Sequence, residues 1–98
     1  MSYFAEQNVV GSLLMDGDAI ERVATILEPE MFTAELLGRV YLEYLRGYEN
    51  GYTVNLVTVR ERLGGDKYPG SVVAEALKEC VSVTVTSAQV KSYAEAVR

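Results

Sequence analysis

Histidine is missing from this chain altogether, which removes at once the commonest general base and the commonest metal ligand. The single cysteine, Cys80, has no second thiol for a disulfide and no histidine to activate it, so a papain-like arrangement is excluded. It reads as a buried structural thiol, and an unpaired thiol suits a reducing cytoplasm. No apolar run approaches the ~18 residues of a membrane span, and no signal-peptide pattern opens the sequence. A phosphate loop is also lacking. Gly64-Gly65-Asp66-Lys67 and Pro69-Gly70-Ser71 are superficially suggestive, but the G-x-x-x-x-G-K-[ST] pattern is not met and no buried strand precedes it. Asp16-Gly17-Asp18 lacks the downstream ligand spacing of an EF-hand. No metal, cofactor or catalytic residue is assigned, and the chain alone is not read as an enzyme.

Positive charge is scarce at one end. Residues 1–35 hold seven acids against one base, Arg22, a net of −6, whereas residues 36–98 carry eight bases and seven acids, a net of +1. The total of −5 repels phosphate backbones and argues against direct duplex binding, as does the want of a basic recognition helix. An acidic first third is a solvated helix face, or a surface that attracts a basic partner.

What is present is a globular composition, 49% hydrophobic and 23% charged in 98 residues, enough for one domain with one core. Leu36-Leu37-Gly38-Arg39-Val40-Tyr41-Leu42-Glu43-Tyr44-Leu45-Arg46-Gly47-Tyr48 organises the rest. At about 100° per residue its Leu, Val and Tyr side chains fan across half a helix, with Arg39, Glu43 and Arg46 opposite. This predicts a central helix led in by Phe32 and Thr33, with Thr33 as N-cap and Asn50-Gly51 as the stop. Leu42 lies off the stripe, as a stray exposed leucine or part of a contact surface.

Around it the sequence predicts a compact orthogonal all-α bundle of about five to six short helices. The first spans Ser2 to Met15, with Val9, Val10, Leu13 and Leu14 inward and the small pair Gly11-Ser12 permitting close approach of another helix. Asp18 is placed as the cap of a second helix, Ala19 to about Leu27. Pro29 ends it and leads through a short turn to Phe32, which plugs the core. Asn55 caps a helix from Leu56 to Leu63, stopped by Gly64-Gly65, and Ser71 to about Cys80 forms the next, with Val72, Val73, Ala76 and Leu77 inward. Val81-Ser82-Val83-Thr84-Val85-Thr86 alternates like a strand without a partner strand, so it is expected as an extended connector. Thr86 and Gln89 form a capping-box signature for a last helix, Ser87 to Arg98. The expected core comprises Val10, Leu13, Leu14, Phe32, Leu37, Val40, Tyr41, Tyr44, Leu45, Leu56, Leu77 and Tyr93. Seven tyrosines are the remaining peculiarity. Tyr41, Tyr44 and Tyr48 are assigned to the core, while Tyr52 and Tyr68 fall in loops and, with Leu42, are the candidate partner-interface residues.

Glu6-Gln7-Asn8-Val9-Val10-Gly11-Ser12-Leu13-Leu14-Met15-Asp16 resembles the opening of the N-terminal domain of DnaB-type replicative helicases. The likeness continues through Ile26-Leu27-Glu28-Pro29-Glu30-Met31-Phe32, Gly51-Tyr52-Thr53-Val54-Asn55-Leu56-Val57-Thr58-Val59 and Tyr93-Ala94-Glu95-Ala96-Val97-Arg98, so it covers nearly the whole chain. Four weak pieces in the right order at the right spacing are together fairly specific. Departures exist: Leu37-Gly38 stands where the family has histidine before arginine, and Asn55 where it has aspartate. Pro69-Gly70 and the following valines replace a Gly-Gly and Tyr-Leu, and Val81–Thr86 replaces a shorter loop. They read as a divergent member, from a phage or mobile element.

The resemblance implies a non-catalytic head of a ring-shaped hexameric helicase. In the family a helical hairpin and a RecA-like ATPase motor follow this head, and the chain stops at Arg98, before both. ATP and magnesium belong to that motor. Head and hairpin form a collar of paired subunits on which primase docks through its C-terminal domain. The isolated chain is expected to be a monomer or weak dimer and cytoplasmic. The alternative is a free-standing adaptor or regulator that binds a helicase or primase through this fold, which a natural stop after Arg98 would favour.

Overall fold

The computed structural model describes residues 3–64 and 67–98. The helix start expected at Ser2 and the loop positions Gly65 and Asp66 lie outside them. Six helices follow in order: α1 Tyr3–Met15, α2 Ile20–Val23, α3 Glu35–Asn50, α4 Leu56–Leu63, α5 Gly70–Val83 and α6 Val90–Val97, with 3-10 turns at Gly17–Ala19, Pro29–Met31 and Ser87–Gln89. Among the described residues there is no strand, only an isolated bridge between Gly64 and Tyr68. The all-α expectation holds.

The helix at the centre is α1 rather than α3. Every residue from Ala5 to Leu13 is buried, because α5, α6 and α3 pack around it. Gly11 makes the tightest of these contacts possible. A Cβ there would stand 2.5 Å from the Cys80 carbonyl oxygen and closer still to Thr84 Oγ1, so only glycine admits α5 at this distance.

Burial makes partners necessary for the charged and amide side chains of α1, and Glu6, Gln7 and Asn8 each have one, while the Ser12 hydroxyl has none among the described residues. Glu6 reaches the start of α3, accepting from the Thr33 N–H (3.0 Å), the Thr33 hydroxyl (2.5 Å) and the Ala34 N–H (3.0 Å). This corrects the expectation of a local cap. Ala34 is the N-cap and supplies no side-chain bond, so a carboxylate distant in sequence satisfies the donors instead. Gln7 Nε2 donates to Glu79 Oε1 at 2.8 Å, tying α1 to α5, and Asn8 Nδ2 donates back to the Phe4 carbonyl at 3.0 Å.

The other boundaries follow local chemistry, with corrections. Gly51, at φ 76°, closes α3 in the left-handed region, and Asn55 caps α4 through reciprocal bonds with Thr58. Asp16, not Asp18, caps the turn before α2, accepting from the Asp18 N–H at 3.2 Å; α2 itself is one turn long. The alternating segment is helical through Val83. Its C-terminal carbonyls are taken up by hydroxyls, Ser82 Oγ on Glu79 O and Thr84 Oγ1 on Cys80 O, each at 2.7 Å, which offsets the β-branched preference. Thr86 accepts from the Ala88 N–H at the turn that leads into α6.

Val10, Leu13, Phe32, Leu37, Val40, Tyr41, Tyr44, Leu45 and Leu77 are buried, and Leu14 and Tyr93 are half-buried against them. Leu56 is 47% exposed, Tyr48 48% and Val72 46%, contrary to their assignment to the interior. Leu56 is the first residue of α4, held outward by the Asn55 cap, and Tyr48 lies where the α3 stripe runs past the core. Glu43 errs the other way. It is buried at 6% exposure and faces Arg46 Nη1 at 3.7 Å and Arg62 Nε at 3.5 Å, bracing α3 against α4.

Candidate functional site

Gly47, near the end of α3, is what lets a groove form beside it. The chain turns at Gly51 and folds back so closely that a Cβ on Gly47 would meet Val54 Cγ2 at 2.6 Å and the Tyr52 carbonyl at 2.7 Å. The Tyr52 N–H donates to the Gly47 carbonyl at 2.9 Å, which fixes the returning strand of chain. Between this loop and the Gly17–Ala19 turn lies a groove of about 280 Å³ whose lining includes Asp18, Glu21, Tyr44, Tyr48, Tyr52 and Val54.

Tyr44 forms the floor, buried so that its phenol is pushed up to about 12 by loss of solvent. Tyr48 and Tyr52 stand as half-exposed walls. The Arg62 guanidinium lies 5.6 Å from the Tyr52 ring centroid, steadying that side chain from outside. Asp18 and Glu21 are exposed, and neither pairs with a base among the described residues. Two unneutralised carboxylates beside rigid aromatic walls suit an arginine- or lysine-bearing protein segment, through ion pairing and stacking together.

Tyr52 therefore lies in this groove. Leu42 and Tyr68 lie elsewhere, around the first half of α3. Leu42 is half-buried and borders a shallow groove of about 380 Å³ with Phe32, Glu35 and Arg39. The Tyr68 hydroxyl donates to Glu35 Oε1, which also takes the Lys67 ammonium at 2.6 Å. Those two hydrogen bonds, from Lys67 first and Tyr68 second, hold the Glu35 carboxyl below the usual range. The same contacts raise Lys67 and Tyr68. Tyr68 is thus engaged in closing the loop before α5 onto α3. The three candidates do not share one groove.

Tyr48, Asp18 and Glu21 belong to the tyrosine groove, and reasoning from periodicity missed them. The signal was the four-residue spacing of Tyr44, Tyr48 and Tyr52, which carries an aromatic row off the end of the helix. Asp16 is taken up structurally, with Arg22 Nη2 at 3.5 Å, and no group of three acidic or thiol side chains is arranged around a metal position among the described residues. Burial pushes the Cys80 thiol up to about 12, with Glu79 adding to the shift. No helix among the described residues is long and apolar enough to cross a membrane.

The all-α fold accords with the family finding. The model of the DnaB-like helicase N terminal domain matches residues 1–98, the whole chain, and the chain belongs to that family.

Proposed function

We propose that this domain is the non-catalytic head of a hexameric replicative helicase, serving collar assembly with other copies of the subunit and docking of primase. The whole-chain family match carries this reading. The tyrosine groove is its docking surface, with Asp18 and Glu21 meeting basic residues of the primase C-terminal domain and Tyr48 and Tyr52 supplying contact area. The domain takes no cofactor of its own; nucleotide and magnesium belong to the motor domain that this family carries. On its own the chain is a monomer or weak dimer.

The test is a titration of the isotope-labelled chain with the primase C-terminal domain of the same replicon, followed by amide shifts. Saturable shifts at Asp18, Glu21, Tyr48 and Tyr52 are expected. Shifts confined to another face would move the docking surface. No shifts at high concentration would restrict the domain to collar assembly.

A further inference from the structure

A second groove lies on the outer side of α4 and α5. Leu14 from the end of α1, Leu56 and Arg60 from α4, and Leu77, Lys78 and Val81 from α5 enclose about 330 Å³. Leu77 is the buried floor, while Leu56 and Val81, 47% and 41% exposed, are walls left open to water. The groove is preformed. The reciprocal bonds between Asn55 and Thr58 fix the first turn of α4, and with it the position of Leu56.

Its charge is opposite to that of the chain. Net charge is −5, yet both charged residues of the lining are bases and no acid lines it. Neither Arg60 nor Lys78 forms an ion pair among the described residues. An apolar floor edged by two free cations is complementary to apolar anchors flanked by carboxylates. A small molecule is a poor match, because sites for these set a few converging polar groups in an enclosed pocket. An extended peptide is poorer still, since α1, α4 and α5 present no strand edge and its backbone groups would lie unpaired on leucine and valine. A helix satisfies its own backbone and offers anchors one turn apart.

We propose that this groove binds an amphipathic helix of a partner protein, with apolar side chains at i, i+3/i+4 and i+7 on Leu56, Leu77 and Val81, and acidic residues against Arg60 and Lys78. The site shares no lining residue with the tyrosine groove, so its failure would leave the primase reading untouched.

The probe is a pair of designed helical peptides with the same leucine spacing, one flanked by glutamates and the other by lysines. The acidic peptide saturates the labelled chain, shifting the amides of Leu56, Ala74, Lys78 and Val81, and binds more weakly as salt is raised. Arg60→Glu combined with Lys78→Glu weakens it by about tenfold or more without changing the melting temperature. Both bases are exposed, so the variant folds. Equal binding of the two peptides, no saturable binding, or shifts centred elsewhere would overturn the proposal. Groove amides that move with chain concentration alone would overturn it too, by making this face a contact between copies.

Discussion

Helices α1 and α4 meet solvent in opposite ways, and neither does so as its composition would lead one to expect. From Ala5 to Leu13, α1 buries a glutamate, a glutamine, an asparagine and a serine along with its apolar residues. Of α4, only Val59 and Leu63 are buried, and Leu56 and Val57 face water. Two of these polar residues tie an element to the hub, Glu6 to α3 and Gln7 to α5. Apolar residues stay outside where no neighbour of this chain covers them. The first arrangement holds the fold together, and the second leaves surface for partners.

The largest effect should come from breaking the seam of the hub. Gly11→Leu drives a side chain into Thr84 and the Cys80 carbonyl, which is backbone and cannot step aside. A loss of about 3 kcal/mol or more is expected in chemical denaturation; an unchanged midpoint would mean that α5 does not pack there. Glu6→Ala strands three donors at the start of α3, and should cost about 2–3 kcal/mol. A loss under 0.5 kcal/mol would show that water replaces the carboxylate.

The hub also sets an alkaline limit. The Cys80 thiol rises from 9.0 to about 12 in the fold and the Tyr44 phenol from 10.0 to about 12. The folded state therefore holds protons that the unfolded chain has released. The stability tied to these groups is complete below about pH 9 and is lost as pH climbs towards 12, by up to about 1.4 kcal/mol per unit for each group. Cys80→Ser should flatten the first part of that slope, and an equal slope in the variant would remove the thiol from the account. Tyr41→Phe deletes a hydroxyl that donates to the Leu27 carbonyl at 2.7 Å, for about 1 kcal/mol; an unchanged stability would leave that hydrogen bond without weight. Leu56→Ser on the outer face should stay within about 0.5 kcal/mol, and a larger loss would return Leu56 to the core.

Where structure depends on neighbours in sequence, it was legible: the short turn at Pro29, the Phe32 plug, the Gly51 stop and the Asn55 cap were all read correctly, whereas the second helix ends at Val23 and not at Pro29. What escaped depends on distant partners. Glu6 looks like an ordinary first-turn acid until Thr33 and Ala34 fold onto it. Glu43 sits on the polar side of its helix, and it is an inside residue once α4 packs there and sets Arg62 against it. Val81 to Val83 prefer an extended backbone in isolation, yet the packing of Cys80 and the Thr84 hydroxyl carry the helix through them. The tyrosine groove was half legible, through Tyr52, because its acids come from the turn before α2 and from α2 itself, more than twenty residues away.

The docking role of that groove meets its most direct test in one pair of affinities. The chain and its Tyr48→Ala/Tyr52→Ala variant are each titrated with the primase C-terminal domain, with melting temperatures measured alongside. Binding weakened about tenfold or more at an unchanged melting temperature is the predicted result. Equal affinities would contradict it and leave the groove without a part in primase recognition.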